Sequence, residues 1–339
     1  MTTTSTEITT VQQAFSVFER EQCRIPETDY KAARETHPMF TAALQAKLAG
    51  FLRTRLAGSF GRHTQAVWLK DVDLIVFVED PDGEYAASAS EALERTRGAL
   101  DELEIVYLKL ARVRALKTFL TDYDFTFDIV PAIEAPDGTV WLCRNLPDEG
   151  YDDWTLANPQ GQVDAARDKN RACGEIYIPG NRIVRFWNQR FGKDNKPLRS
   201  YHAESILHNA LSARCDYDEL VLRFFDAAYD ALAPTGRTVD PGNPTAYVDD
   251  LLSDEDRATA RDKVEKTRIA AHAANNIHDP MESMEAWTKV FGSAFPAPST
   301  DPERVAAALK AGTAVSVAPD ILSSGPGDRL IRPRSWRAH

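Results

Sequence analysis

The chain has 339 residues and a formal charge of −11, which argues against a basic surface that coats nucleic acid but not against an anionic small substrate in a locally positive or cation-bearing cleft. At 43% hydrophobic and 27% charged it has the composition of a soluble globular protein of roughly two lobes. No apolar run approaches a membrane span, Met1 to Thr6 lacks a signal-peptide pattern, and Cys23, Cys143, Cys173 and Cys215 are too scattered for a zinc ribbon or disulfide framework; the expectation is a cytoplasmic protein with reduced thiols and no membrane partner.

Residues 1–10 are Thr/Ser-rich and read as a frayed end. Val11, Ala14, Phe15 and Phe18 predict a helix over 11–22. Phe40, Ala43, Leu44, Leu48, Phe51 and Leu52 predict a second, from about Pro38 to Arg53, leading directly into the next feature.

That feature organises the chain. Ala57-Gly58-Ser59-Phe60-Gly61-Arg62 is a turn whose glycines let backbone N–H groups gather around an anion. Asp71-Val-Asp73-Leu-Ile-Val-Phe-Val78 reads as a strand, so both carboxylates project from one face. Two like charges that close are costly to keep ionised without a cation between them. Either half alone reads as an ordinary turn or a solvated strand end. Together they suggest a metal–triphosphate site.

A helix is expected over 85–103, then strands over 111–120 and 125–133 joined by the polar turn 121–124. Pro131 suggests that the second strand ends or lies at an edge there. Asp128 stands among apolar neighbours on that strand, and a buried carboxylate needs a partner. Either it faces solvent or an arginine of 112–114, or the hairpin pairs with strand 71–78 and Asp128 completes a trio of acids.

From Tyr151 the pattern turns helical: 163–176, 180–191, 200–214, 217–232, 245–274 and 281–291, interrupted at 239–244 and closed by 291–296. Arg182, Arg185, Arg190, Lys193, Lys196 and Arg199 form a basic cluster. Such a run is usually a solvated face, but Arg182 and Arg185, one turn apart beside apolar residues, could aim at phosphates. Ser200 stands at a helix start where it can cap, and Tyr201 is either core or a stacking surface for a base. Residues 297–339, with a helix near 301–311 and Arg329, Arg332, Arg334 and Arg337 in the last stretch, read as a partly disordered basic tail. P-loop, His-Glu-x-x-His and Gly-x-Ser-x-Gly motifs are absent. The expected fold class is α+β: a mixed α/β catalytic lobe over 1–150, a helical lobe over 151–296, and a cleft between them.

Gly58-Ser59, Asp71-x-Asp73 and a lone strand acid at Asp128 resemble the DNA polymerase β-like nucleotidyltransferase superfamily. The segments 127–132, 154–159, 183–188, 200–204, 240–244 and 291–296, in that order, resemble landmarks of the CD-NTase family, bacterial relatives of cyclic GMP-AMP synthase and oligoadenylate synthetase. The resemblance covers roughly residues 40–296. It implies a two-lobed polymerase β-like fold, two Mg²⁺ ions (Mn²⁺ as a substitute), ribonucleoside triphosphates with ATP among them, and a cyclic oligonucleotide second messenger for CBASS anti-phage signalling, with regulatory or effector proteins of a CBASS operon as partners. It also implies residues. Asp71, Asp73 and Asp128 would hold the metals. Ser59 would contact the donor triphosphate, and Gly58 and Arg62 of the same turn are expected among the nucleotide-binding residues. Arg182 and Arg185 would face phosphate, Arg185 standing where relatives often carry a lysine. Ser200 and Tyr201 would touch phosphate and stack on a base. The animal synthase's zinc insertion has no counterpart, and Lys47, Arg53 and Arg55 are too few charges to support a DNA activator. Two rival readings remain: a transferase that places one nucleotide on a protein, tRNA or small molecule, and a catalytically silent nucleotide sensor.

Overall fold

The computed structural model describes residues 8–296 apart from 68–70, 81, 84, 102, 104–105, 111–114, 121–124, 136, 147–150 and 193. The tail expected over 297–339, the arginines of 112–114 and the 121–124 turn lie outside the described residues.

The central element is a seven-stranded sheet, ordered β1–β2–β5–β4–β3 with β6 and β7 continuing from β5. β1 is Phe51–Leu56, β2 Asp71–Val78, β3 Val106–Leu110, β4 Leu116–Leu120, β5 Thr126–Glu134, β6 Val140–Leu146 and β7 Tyr151–Ala157. β2 and β5 pair in parallel; the other pairs are antiparallel. The expected hairpin is β4–β5, although its first strand begins at Leu116, and the strand does not end at Pro131. Pro131 sits where the neighbour changes, since β4 pairs with β5 as far as Ile129 and β6 takes over at Ala132. A residue without an N–H is tolerated where the ladder changes partner.

Helix α2 runs Glu27–Lys47 with Pro38 inside it, and does not reach the Gly-Ser turn. Gly50 (φ +69°) breaks the chain direction, and 51–56 is strand β1. The helical period read over Phe51 and Leu52 was an accident of strand alternation, Phe51 packing inward and Leu52 being exposed. Helices α3 (Gly58–Gly61) and α4 (Ala89–Leu100) complete the sheet lobe, Ser88 capping α4 through Glu91 N. The apolar row Val72, Leu74, Val76 and Val78 packs with Phe127, Ile129, Phe40, Leu44 and Leu93 on one sheet face. The opposite row of β2 carries Asp71, Asp73, Ile75 and Phe77, and only its last two join a small core with Ala57, Ala132 and Val140.

The helical lobe comprises α5 (Pro159–Ala172), α6 (Tyr177–Gln189), α7 (Ser200–Ala210), α8 (Tyr217–Ala231), α9 (Asp254–Asn275) and α10 (Pro280–Phe291). The expected helix over 245–274 is instead a hairpin, β8 (Val239–Asp240) with β9 (Asn243–Tyr247), followed by α9, which Ser253 caps. Helix α1 (Val11–Phe18), opened by a Thr10–Gln13 capping box and continued by a π-helical turn over Glu19–Cys23, packs into this lobe. Phe15 meets Trp287, Phe291 and Phe295 at ring separations of 5.0, 5.7 and 4.9 Å. Burying such a ring stabilises by about 1.5–3 kcal/mol, so the first helix is bound to the last. All four cysteines are buried free thiols.

Candidate active site

The parallel pairing of β2 with β5 sets Asp73 opposite Asp128 and Asp71 opposite Thr126. Side chains in register on adjacent strands leave the same sheet face, so the three acids form one edge, at the start of both strands. Residue spacing alone could not have selected this pairing over the solvated alternative.

Gly58 explains why a glycine opens the turn. It has φ +57°, and a Cβ there would lie 1.7 Å from Asp73 Oδ2. Ala57 N donates to Asp73 O at 2.8 Å, which fastens the turn to the acid strand. The turn itself is one helical turn, α3, in which Ser59 O accepts from Thr64 N at 3.0 Å. Ser59 is half-buried, and its hydroxyl makes no hydrogen bond to another described residue.

The acids are electrostatically unsettled. Burial, then Asp71 and Asp128, push the Asp73 carboxyl up to about 6. Burial also raises Asp128, opposed by Lys117 and reinforced by Asp71. Asp128 Oδ1 is shielded from solvent and has no hydrogen-bond partner. Lys117 Nζ, opposite it on β4, stands 3.3 Å away as an ion-pair contact outside hydrogen-bonding geometry. Lys117, rather than one of the arginines of 112–114, is the described counter-ion, and cross-strand register was the only signal that could have found it. Among the described residues no group of three His, Cys, Asp or Glu side chains is placed to hold a metal ion as it stands. Three acids on one edge, two with raised pKa and one with an orphaned oxygen, nonetheless fit divalent cations: hard oxygen donors whose repulsion a cation would relieve.

The arginines divide. Arg185 on α6 is half-buried, its Nε shielded and without a hydrogen bond. Burial lowers its pKa, against the pull of Glu204, Asp71 and Asp73, which places it within electrostatic reach of the acid edge. Arg62 and Arg182, both expected to face the nucleotide, are committed elsewhere. Arg182 donates to Glu19 Oε1 at 2.9 Å and to His63 O at 3.1 Å. Arg62 is 7% exposed and donates to Glu204 at 2.7 and 3.2 Å, across the lobes. Glu204 was missed: a lone glutamate on an amphipathic helix reads as surface, and only packing makes it a buried counter-ion.

Ser200 begins α7 but does not cap it; Arg199 holds the cap position, with no side-chain hydrogen bond. Tyr201 is half-buried. Its hydroxyl donates to Asp240 Oδ1 at 2.5 Å, and the Arg62 guanidinium lies 4.7 Å from its ring centroid. Two segments distant in sequence also meet: Asn158 accepts from Gly161 N as the cap of α5 and donates to Gly242 O at 3.0 Å.

Residues 9–170 match the Second Messenger Oligonucleotide or Dinucleotide Synthetase domain, SMODS. Over 162 residues the chain is 33% identical to a probable cyclic AMP-AMP-GMP nucleotide synthase of Salmonella paratyphi B, a match covering 45% of this chain and 42% of that protein. It thus spans less than half the length of that relative. A match to the cyclic AMP-AMP-AMP synthase of an Acinetobacter strain is longer, covering 83% and 81% of the two chains, at 21% identity. The fold is similar to E. coli MS115-1 CdnC with ATP (TM-score 0.67, 18% identity, 84% of this chain and 99% of that one). It is equally similar to the Bradyrhizobium diazoefficiens CD-NTase CdnG with GTP (TM-score 0.68, 12% identity, 83% and 96%). Among the described residues no helix is long and apolar enough to cross a membrane. Residues 9–170 thus match a second-messenger synthetase domain, and the fold across both lobes is similar to that of solved CD-NTase structures.

Proposed function

We propose that this protein is a Mg²⁺-dependent nucleotidyltransferase that condenses ribonucleoside triphosphates into a cyclic oligonucleotide second messenger and releases pyrophosphate. The observation that carries the reading is the acid edge, Asp73 in register with Asp128 and Asp71 two residues before it, beside a turn in which a Cβ on Gly58 would collide with Asp73. Three acids share this edge against one described ion-pair partner, Lys117 on Asp128, so burial and mutual repulsion still raise the pKa of Asp73 and Asp128.

Asp71, Asp73 and Asp128 are assigned to two Mg²⁺ ions, with Mn²⁺ as a substitute. Bound there, the ions would supply charge that lowers the pKa of an acceptor ribose hydroxyl and neutralises departing pyrophosphate. The chain's own contribution is position and charge. Ser59 offers its hydroxyl to the donor triphosphate, and Gly58 keeps the backbone close. Arg185 supplies the positive charge facing phosphate, and Ser200 stands at the start of the same helix as Tyr201. Tyr201 offers a ring face to a base. The relatives join AMP and GMP units, which makes ATP the first substrate to try. The likeness to CD-NTases supports CBASS signalling, with regulatory or effector proteins as partners.

The test is product mass after incubating the full chain with the four ribonucleoside triphosphates and Mg²⁺, followed by phosphatase. A phosphatase-resistant cyclic product is expected. Linear, phosphatase-sensitive oligomers would remove the ring closure but keep nucleotidyl transfer. Transfer only to an added protein, tRNA or small molecule, or binding without turnover, would overturn the reading.

A further inference from the structure

The acid edge does not explain the most completely paired charge between the two lobes. Glu204 is 2% exposed and accepts three hydrogen bonds: Arg62 Nε at 2.7 Å, Arg62 Nη2 at 3.2 Å and Thr64 Oγ1 at 2.8 Å. Arg62 also donates to Gln162 Oε1 at 3.3 Å. Both donors to Glu204 come from the residues just after Ser59, while Glu204 lies one turn after Tyr201 on α7. This carboxylate therefore ties the Gly-Ser turn to the helix that carries the ring.

Stability is a poor explanation for such a pair. Taking two charges out of water costs about as much as their attraction returns, and well-packed apolar substitutes are often as stable or more so. What an apolar pair cannot provide is a planar cation in a fixed orientation. The Arg62 guanidinium, its edge held by Glu204, lies over the Tyr201 ring at 4.7 Å. The far end of that ring is fixed separately: Tyr201 Oη donates to Asp240 Oδ1 at 2.5 Å, and the same oxygen accepts from Gly242 N at 2.8 Å. One face of the ring is occupied and its hydroxyl is tethered, so the ring of this half-buried side chain is held in a fixed orientation.

We infer that Glu204 is a positioning residue: by orienting Arg62 against Tyr201 it fixes the platform on which a nucleotide base stacks, in register with the turn that takes the triphosphate. The inference rests on the proposed nucleotide site. It assigns Glu204 and Arg62 no contact with the substrate. A pre-set ring spares the ordering cost of binding, so loosening it weakens nucleotide affinity.

The experiment is calorimetric titration of the full chain, with Mg²⁺, using a non-hydrolysable ATP analogue, beside thermal melting. Two variants are compared. Arg62→Lys keeps the ion pair and removes the planar face. Arg62→Met with Glu204→Leu and Thr64→Val replaces the pair, and the buried hydroxyl that Glu204 accepts from, by apolar side chains, and its melting temperature is expected to stay near the parent's. Both should weaken nucleotide binding about fivefold or more, as should Tyr201→Ala alone. Adding Tyr201→Ala to either should cost less than about a further twofold, since the platform is already lost. Parental affinity in Arg62→Lys, or a Tyr201→Ala effect that adds in full, would overturn the inference and leave the pair a structural staple. If the apolar pair fails to fold, Arg62→Lys decides alone. If the parent binds nucleotide and Tyr201→Ala binds as well as the parent, the platform is wrong while the proposed function stands. If the parent binds no nucleotide, both fall.

Discussion

The acid edge of β2 and β5 and the Arg62–Glu204 clasp lie on either side of the same turn, yet treat charge in opposite ways. In the clasp every charge is answered: Glu204 accepts from Arg62 and Thr64, and Arg182 is likewise paired with Glu19. At the edge, Asp73 is raised by burial and by its neighbouring acids, Asp128 keeps an oxygen with no hydrogen bond, and Arg185 keeps a shielded Nε with none. Burying polar groups unanswered costs stability, so a chain that can answer charges this well on the other side of the turn leaves the edge open for a ligand. Closed charges set the relation between the lobes; open ones wait for metal and phosphate.

Removing the open charges should cost function and not stability. Asp71→Asn with Asp73→Asn should lower turnover by about a thousandfold or more, the scale of losing several kcal/mol of transition-state charge stabilisation. Its melting temperature at pH 7.5 without metal should hold or rise, because a repulsion is relieved; a clear drop would mean that the acids are structural. Removing a closed charge should do the reverse. Glu204→Gln leaves Arg62 buried with a neutral partner and should destabilise by about 3–5 kcal/mol in urea unfolding. A loss under about 1 kcal/mol, typical of a surface pair, would erase the distinction between the two regions.

Smaller effects sharpen the same contrast. Ser59→Ala should weaken the donor's KM by the worth of one hydrogen bond to a charged group, about 1.5–3 kcal/mol, with melting unchanged. Unaltered activity at limiting nucleotide would remove Ser59 from the site. The pH dependence should come from Asp73, whose folded pKa of about 6 lies above the ordinary carboxylate value. Below pH 6 it is protonated, so Mg²⁺-dependent nucleotide binding should fall as pH drops through 6. In the metal-free chain the sign for stability is opposite: a raised carboxylate pKa contributes stability at low pH that is lost as pH rises through about 6. Asp73→Asn should flatten that pH–stability profile. An unchanged profile would place the titration elsewhere.

Much of the acid edge was legible in the sequence, because its chemistry is local: Asp71 and Asp73 share a face by strand periodicity, and Gly58 announces a turn. Asp128 needed the register of two strands separated by a helix and a hairpin, which periodicity leaves open. The clasp was not legible. Arg62, Arg182 and Glu204 are paired over 142 and 163 residues of chain, and an arginine near a phosphate turn looks the same whether it meets phosphate or a carboxylate from the other lobe. Strands β6 and β7 were missed for a different reason. Their alternation is broken by Arg144, Asp152 and Asp153, and Arg144 and Asp153 are a cross-strand ion pair rather than loop residues.

The central claim is that the open acids bind the metal that accompanies the nucleotide. It is tested most directly by calorimetric titration of a non-hydrolysable ATP analogue into three proteins, the parent, Asp128→Asn and the Asp71→Asn/Asp73→Asn double variant, each in Mg²⁺ and in EDTA. Asp71 and Asp73 directly follow the turn, so the account predicts that the parent binds tightly only with Mg²⁺ and that the double variant loses the Mg²⁺-dependent part. Asp128→Asn should retain most of it while losing turnover. Equal binding in Mg²⁺ and EDTA by the parent, or Mg²⁺-dependent binding of parental strength in the double variant, would contradict it.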